Sequence, residues 1–299
     1  LCRKTPEGVL RGDLYKEGLK IMLAALCVGE SRRRWMSFRR RPPVVKSELV
    51  TAGSGRYLKI TADKGRNGQI DWVGVRKAAG RETSRLLIPR GIIPPSGSRI
   101  AAFRGVELAR QLMTSAAVEL LKIVAINPRL VKIAIYDPRG VMPELPIQFI
   151  PYASDVRVIT NRFDRYKAQQ FMAMQQFGAV LSVTDDPAET GGSLLLIAPE
   201  GFSKGDNILM PRGWIMTADS PVEHKKGVIY RYLPKVSHGL LSSTPLGCDA
   251  VQFLSGLYEL SGIREIAVRP PEFLQTSGHT ITLKDAAWRL AGLDIGISV

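Results

Sequence analysis

Apolar residues recur along this chain with changing periods, and the character of the pattern shifts near residue 105. Upstream the runs are short. Leu14, Leu19, Met22, Leu23 and Leu26 share one face at helical spacing and predict a helix near residues 12–28. R-Y-L-K-I-T-A and Q-I-D-W-V-G-V are rich in β-branched and aromatic residues. With D-K-G-R-N-G between them they predict a hairpin near 56–76. R-L-L-I-P and S-R-I-A-A-F predict further short strands around the Pro94-Pro95 turn.

From Gly105 the elements alternate. Leu108, Leu112, Ala116, Leu120 and Val124 mark a helix over Val106–Ala125, and Asn127-Pro128 ends it. A strand follows at Val131–Tyr136, a short helix at Pro143–Tyr152, a strand at Asp155–Thr160 and a helix at Asp164–Phe177 stopped by Gly178. Val180–Thr184 and Ser193–Ala198 read as two more strands. Apolar strands separated by helices at such intervals require a parallel, doubly wound α/β sheet. Beyond Pro199, G-W-I-M-T-A and G-V-I-Y-R-Y-L predict strands, as an antiparallel pair. Asp249–Leu260 predicts a helix, Glu265–Val268 a strand and Leu283–Leu290 a last helix, with Thr282 and Asp285 in capping-box positions.

With 45% apolar residues the chain is globular. Its net charge of +15 is unevenly placed: residues 1–104 hold 23 Lys+Arg against 8 Asp+Glu, whereas residues 105–299 hold 19 of each. Charge and pattern together suggest a basic appendage over 1–50, a basic β-rich region over 51–104 and a Rossmann-like α/β domain over 105–299. Three dispersed cysteines, Cys2, Cys27 and Cys248, imply a reducing, cytoplasmic setting rather than a disulfide framework, and the scattered histidines give no zinc spacing. The early apolar run Ile21–Val28 is shorter than the roughly 18 residues of a membrane span.

S-R-R-R-W-M-S-F-R-R-R-P-P places Arg32, Arg33, Arg34, Arg39, Arg40 and Arg41 around Trp35 and Phe38. Such a run can hold phosphates and stack on bases, which makes nucleic acid or another acidic partner a candidate. It is also what an anionic membrane surface attracts, or simply a solvated tail.

In an open α/β sheet, ligands sit beyond the carboxyl ends of the strands. Those ends are Asp137-Pro138-Arg139-Gly140, Thr160-Asn161-Arg162, Thr184-Asp185-Asp186 and Pro199-Glu200-Gly201. Within this rim D-V-R-V-I-T-N-R-F-D-R-Y-K-A-Q-Q-F, from Asp155, resembles the second strand and helix of NADP-binding Rossmann domains of the shikimate dehydrogenase and glutamyl-tRNA reductase type. G-G-S-L-L-L-I-A-P, Gly191 to Pro199, resembles their fourth strand. The resemblance spans about residues 130–200 and implies NADP as cofactor. Asn161 and Arg162, with Arg165, would lie at the adenosine 2′-phosphate, beside Thr160, and the turn of Asp137, Arg139 and Gly140 would shape the pocket. That turn departs from those families: one glycine stands where two or three let the backbone approach a pyrophosphate, and Pro138 removes a donor.

The same strand end also resembles that of haloacid-dehalogenase-like phosphatases, with Asp137 at the nucleophile, Thr160-Asn161 at the second motif and Asp185-Asp186 at the magnesium-binding acids. Arg139 stands where their general acid belongs and cannot act as one. No G-x-x-x-x-G-K-[ST] loop occurs. The sequence therefore supports three functions: a nucleotide- or phosphate-ligand-binding Rossmann-like protein, an interaction module acting through its basic first third, and an NADP-dependent oxidoreductase.

Overall fold

The computed structural model describes residues 22–29, 44–65, 68–124, 126–202, 205–219 and 227–294. The chain divides into two compact units, Leu1–Arg104 with His238–Ile263, and Gly105–Ser237 with Arg264–Val299.

In the first unit β1 (Ala24–Gly29), β2 (Val45–Ala52) and β3 (Gly55–Asp63) lead to α1 (Trp72–Ala79) and β4 (Leu86–Leu87). The sheet order is β2-β3-β1-β4, with β1 parallel to both β3 and β4. The helix predicted near 12–28 is thus replaced over 24–29 by a central strand; residues 12–21 lie outside the described residues. Leu23 to Leu26 are fully buried, and a strand covered on both faces shows no alternation, so its apolar run also satisfies a helical stripe.

The hairpin exists, but the partner of β3 is β2, not residues 69–75. Those residues enter α1, because the Asp71 carboxylate accepts the Gly74 N–H at 2.9 Å and starts a helix in an otherwise strand-like run. Val75 and Ala79 of α1 pack on Ala24, Leu26, Ile60, Ala62 and Leu86. R-L-L-I-P contains β4, whereas S-R-I-A-A-F provides a 3-10 turn at Ser96–Ser98 and a single bridge from Ala102 to Leu86.

The second unit begins with α2 (Glu107–Val124), β5 (Lys132–Tyr136), β6 (Asp155–Ile159), α3 (Lys167–Phe177), β7 (Leu181–Thr184), β8 (Leu195–Ala198), β9 (Trp214–Thr217) and β10 (Val228–Leu233). These follow the sequence reading closely. Gly178, at φ +61°, stops α3 as expected. Two corrections apply. Pro143–Tyr152 forms 3-10 turns at Pro146–Gln148 and Ile150–Tyr152 rather than a helix, since three prolines remove the donors a helix interior requires. β9 and β10 pair in parallel, not antiparallel, and Trp214–Thr217 is buried throughout, as a parallel strand covered on both faces should be.

The chain then supplies α4 (His238–Ser242) and α5 (Ala250–Glu259) to the first unit. Asp249 caps α5 by accepting from Val251 and Gln252. Phe253 meets the Tyr57 ring edge-on at 5.1 Å, and Gly256 lies so close to Leu23 that a Cβ there would sit 2.5 Å from its side chain.

β11 (Phe273–Thr276), β12 (Thr280–Thr282) and α6 (Leu283–Asp294) complete the second unit. Glu265–Val268, read as a strand, falls on a 3-10 turn over Arg264–Ala267; the strands come later, as an antiparallel pair too short for a pattern to show. The capping box is formed, with Asp285 accepting from Thr282 N at 2.9 Å and Thr282 Oγ1 accepting from Asp285 N at 3.2 Å. The eight-stranded sheet runs β12-β11-β10-β9-β8-β5-β6-β7 and is parallel from β10 to β7. No helix among the described residues is long and apolar enough to cross a membrane.

Candidate functional site

Counted from β5 as first strand, the parallel part reads 3-2-1-4-5-6, and the order reverses between β5 and β8. In a sheet of this order the crevice beyond the carboxyl ends of those two strands is where ligands collect. Four of the strand-end turns named from the sequence therefore lie along one edge.

The turn after β5 is organised by Asp137, which is fully buried. Its N–H extends the ladder to Ile159 O at 2.9 Å. Its Oδ1 accepts from Val141 N at 2.9 Å, and Oδ2 accepts from Met142 N at 2.9 Å and from the Tyr166 hydroxyl at 2.7 Å. A carboxylate holding three donors replaces the water it lost on burial. Burial, then the negative charge of Asp137 and its hydrogen bond, push the Tyr166 phenol far above its ordinary value. The carboxylate has no free face for attack on a substrate, which removes it as a nucleophile. Tyr166 was not anticipated; a buried tyrosine at a helix start carries no sequence signal for this role.

The consequence for phosphate binding is direct. Dinucleotide-binding folds turn the N–H groups after the first strand outward, at the start of a helix, to receive a pyrophosphate. Here the N–H groups of Val141 and Met142 turn inward onto the chain's own carboxylate, and 3-10 turns stand in place of the helix.

Gly140 closes this turn at φ +65°, its N–H donating to Asp137 O at 3.0 Å. A Cβ at this position would lie 2.9 Å from Arg165 Cδ and 3.2 Å from Arg162 Cβ, so glycine is required both for the backbone angle and for the approach of two arginines. Arg165 Nη1 donates to Gly140 O at 2.9 Å. Thr160 is buried; its N–H reaches Thr184 O at 2.8 Å and its Oγ1 accepts from Arg162 N at 3.0 Å. Asn161 N donates to Pro138 O at 3.1 Å, and its side chain is exposed. Asn161, Arg162 and Arg165 thus gather beside Gly140, and no carboxylate forms an ion pair with either arginine among the described residues.

Across the point of reversal stands a second charged group. Glu200, after β8, accepts from Arg139 Nε at 2.5 Å, also from Arg139 Nη2, and from Arg110 Nη2 of α2 at 3.4 Å. Glu200 belongs to the rim read from the strand ends, whereas Arg110, 90 residues away in the chain, carried no signal for it. Asp185 and Asp186 are exposed; Asp186 caps the following 3-10 turn through Ala188 N at 2.9 Å. On one sheet face Tyr136 sits with Ala134, Leu196 and Ala198 under Phe202 and Ile208, and its phenol bonds to Asp206. At the opposite, amino end of β5 lies a cavity of about 250 Å³ lined by Leu121, Val124, Val131 and Tyr152. It gathers no cluster of convergent polar groups. The arginine run from Arg32 to Arg41 lies outside the described residues.

The strand order defines a Rossmann-like α/β protein. No protein-family model matches the sequence, and no curated protein sequence matches it. Among solved structures the chain is similar to L-tryptophan dehydrogenase from Nostoc punctiforme, at 12% identity and a TM-score of 0.32, over 79% of this chain and 66% of that one. At that TM-score the strand order, not the likeness, establishes the fold class.

Proposed function

We propose that the protein binds a nucleotide or a similar phosphate-bearing ligand at the carboxyl edge of β5 and β6, with Asn161, Arg162 and Arg165 as the anchor. The observation that carries this reading is the close approach of Arg162 and Arg165 to Gly140, neither arginine in an ion pair among the described residues, with the exposed Asn161 next in the chain, at the edge where such sheets take ligands. Asp137, Gly140 and Thr160 build the floor of that edge, and Arg139 stands exposed beside it. Because Asp137 already fills the inward donors of the turn, the ligand is held by its terminal phosphate rather than by a pyrophosphate on the turn. NADPH is the first probe, since its 2′-phosphate is the group an Asn-Arg pair after the second strand would hold. No reaction is assigned to this edge.

The test is thermal unfolding with NADPH and with NADH. At a hundred times its dissociation constant a ligand adds about 2.7 kcal/mol, enough to raise the midpoint by several degrees. The expected result is a larger rise with NADPH, lost in Arg162→Ala. Equal rises for the two cofactors, or none, would remove the phosphate role of Arg162.

A second reading rests on the first unit, where Arg56, Lys64, Arg76, Lys77, Arg81, Arg85, Arg99 and Arg104 are exposed and, among the described residues, only Lys59 and Arg90 pair with acids. That surface suits an acidic partner, nucleic acid included. Binding to a labelled single-stranded oligonucleotide should then weaken steeply with salt; affinity that ignores salt would count against it.

A further inference from the structure

The group around Glu200 holds more positive charge than its carboxylate balances. Two guanidinium groups, Arg110 and Arg139, share one carboxylate. The Glu200 side chain is 13% exposed and that of Arg110 23%, whereas Arg139 is 73% exposed and stands open to solvent. Glu200 takes the Arg139 fork through both oxygens and is left with only a long contact of 3.4 Å to Arg110 Nη2. Arg110 Nε is buried and has no acceptor. A buried guanidinium N–H without a partner is costly, and such groups call for an explanation. A carboxylate has two oxygens, both already engaged by Arg139. An anion with three oxygens in a tetrahedral array can serve the Arg139 fork and the Arg110 donors together.

The position matters as much as the charge. Arg139 follows β5 and Glu200 follows β8, the two strands between which the sheet order reverses. That is the crevice where this architecture collects ligands.

The geometry points to a phosphoryl-group seat formed by Arg110 and Arg139, in which Glu200 is the resident carboxylate that an incoming phosphate displaces. It is separate from the Arg162–Arg165 anchor and holds whether or not that anchor binds a nucleotide. The exposed Arg139 is the mobile jaw. Arg110, fixed on α2, is the stationary one. Glu200 keeps the pair neutralised in part when no ligand is present and sets the affinity through competition.

The probe is inorganic phosphate, titrated calorimetrically in a buffer free of other oxyanions. Glu200→Gln removes the competing charge and keeps the size, so phosphate affinity should rise at least tenfold over the unsubstituted protein. Adding Arg139→Ala to that variant should abolish the gain, while adding Arg162→Ala should leave it intact. An affinity within twofold of the unsubstituted protein in Glu200→Gln overturns the seat. So does a gain that survives Arg139→Ala. A gain lost only with Arg162→Ala would assign the phosphate to the other anchor and equally overturn it. If Glu200→Gln does not fold, Glu200→Asp, whose shorter chain withdraws from the Arg139 fork, is held to the same criteria.

Discussion

Asp137 offers the sharpest test of how the carboxyl edge of the sheet is built. Asp137→Ala strands three donors, the buried Tyr166 hydroxyl and the part-buried N–H groups of Val141 and Met142. Each stranded donor costs about 1–3 kcal/mol, so the substitution should cost about 3–9 kcal/mol. That is a large part of the about 5–15 kcal/mol that a domain has in total. Tyr166→Phe is milder. It removes one charge-assisted bond, worth about 1.5–3 kcal/mol, and leaves the carboxylate its two amide donors. The two changes should not add. Once the carboxylate is gone, removing the hydroxyl relieves a stranded group instead of breaking a bond. The double variant should therefore be more stable than the sum of the singles by about 1–3 kcal/mol. Urea unfolding followed by fluorescence reads this out, because Trp214 is buried in β9 of the same unit and donates its Nε1–H to Ala286 O at 3.0 Å. A coupling below about 0.5 kcal/mol would refute the shared network. A cost under about 1 kcal/mol for Asp137→Ala would refute its role as the anchor of the turn.

Two further predictions concern weak acids whose ionisation is opposed by their surroundings. Burial, followed by its bond to Asp206, pushes the Tyr136 phenol up to about 12 from an ordinary 10.0. Its folded value exceeds its unfolded one, so its contribution is complete below pH 10 and is lost as the pH rises toward 12. Tyr136→Phe should make the fall in stability over that interval shallower, as measured by urea unfolding at stepped pH, and an unchanged slope would refute the assignment. Cys248 is pushed up to about 12, first by burial and then by the charge of neighbouring Cys27. Its thiol should stay protonated at pH 8 and alkylate about a thousandfold more slowly than an exposed cysteine. Site-resolved mass spectrometry after iodoacetamide checks this, and modification of Cys248 at an ordinary rate would overturn it.

Much of the second unit was legible because its central strands are buried on both faces and its stops are chemical. β5 and β8 are nearly continuous apolar runs, β6 alternates apolar and charged positions, Gly178 and Asn127-Pro128 end helices, and Thr282 with Asp285 begins one. The same property misled upstream, where the fully buried β1 carried the stripe of a helix. Residues 69–75 were misread because one aspartate outweighed a β-branched composition. β11 and β12 are short and half exposed, with too little pattern to detect. The rim itself could be read from strand ends alone. The pairing of Glu200 with Arg110 and Arg139, across 90 and 61 residues, could not, because it arises from sheet order rather than from any local spacing.

The prolines between β5 and β6 set a limit for protein engineers. Building a dinucleotide site by grafting glycines into positions 137–142 would free the Val141 and Met142 amides, yet leave them at the head of 3-10 turns with little aligned dipole behind them. A working redesign has to exchange the whole connector, Pro143, Pro146 and Pro151 included, for a segment that can wind several turns. Glycine grafting alone should yield a looser protein and no gain in cofactor affinity.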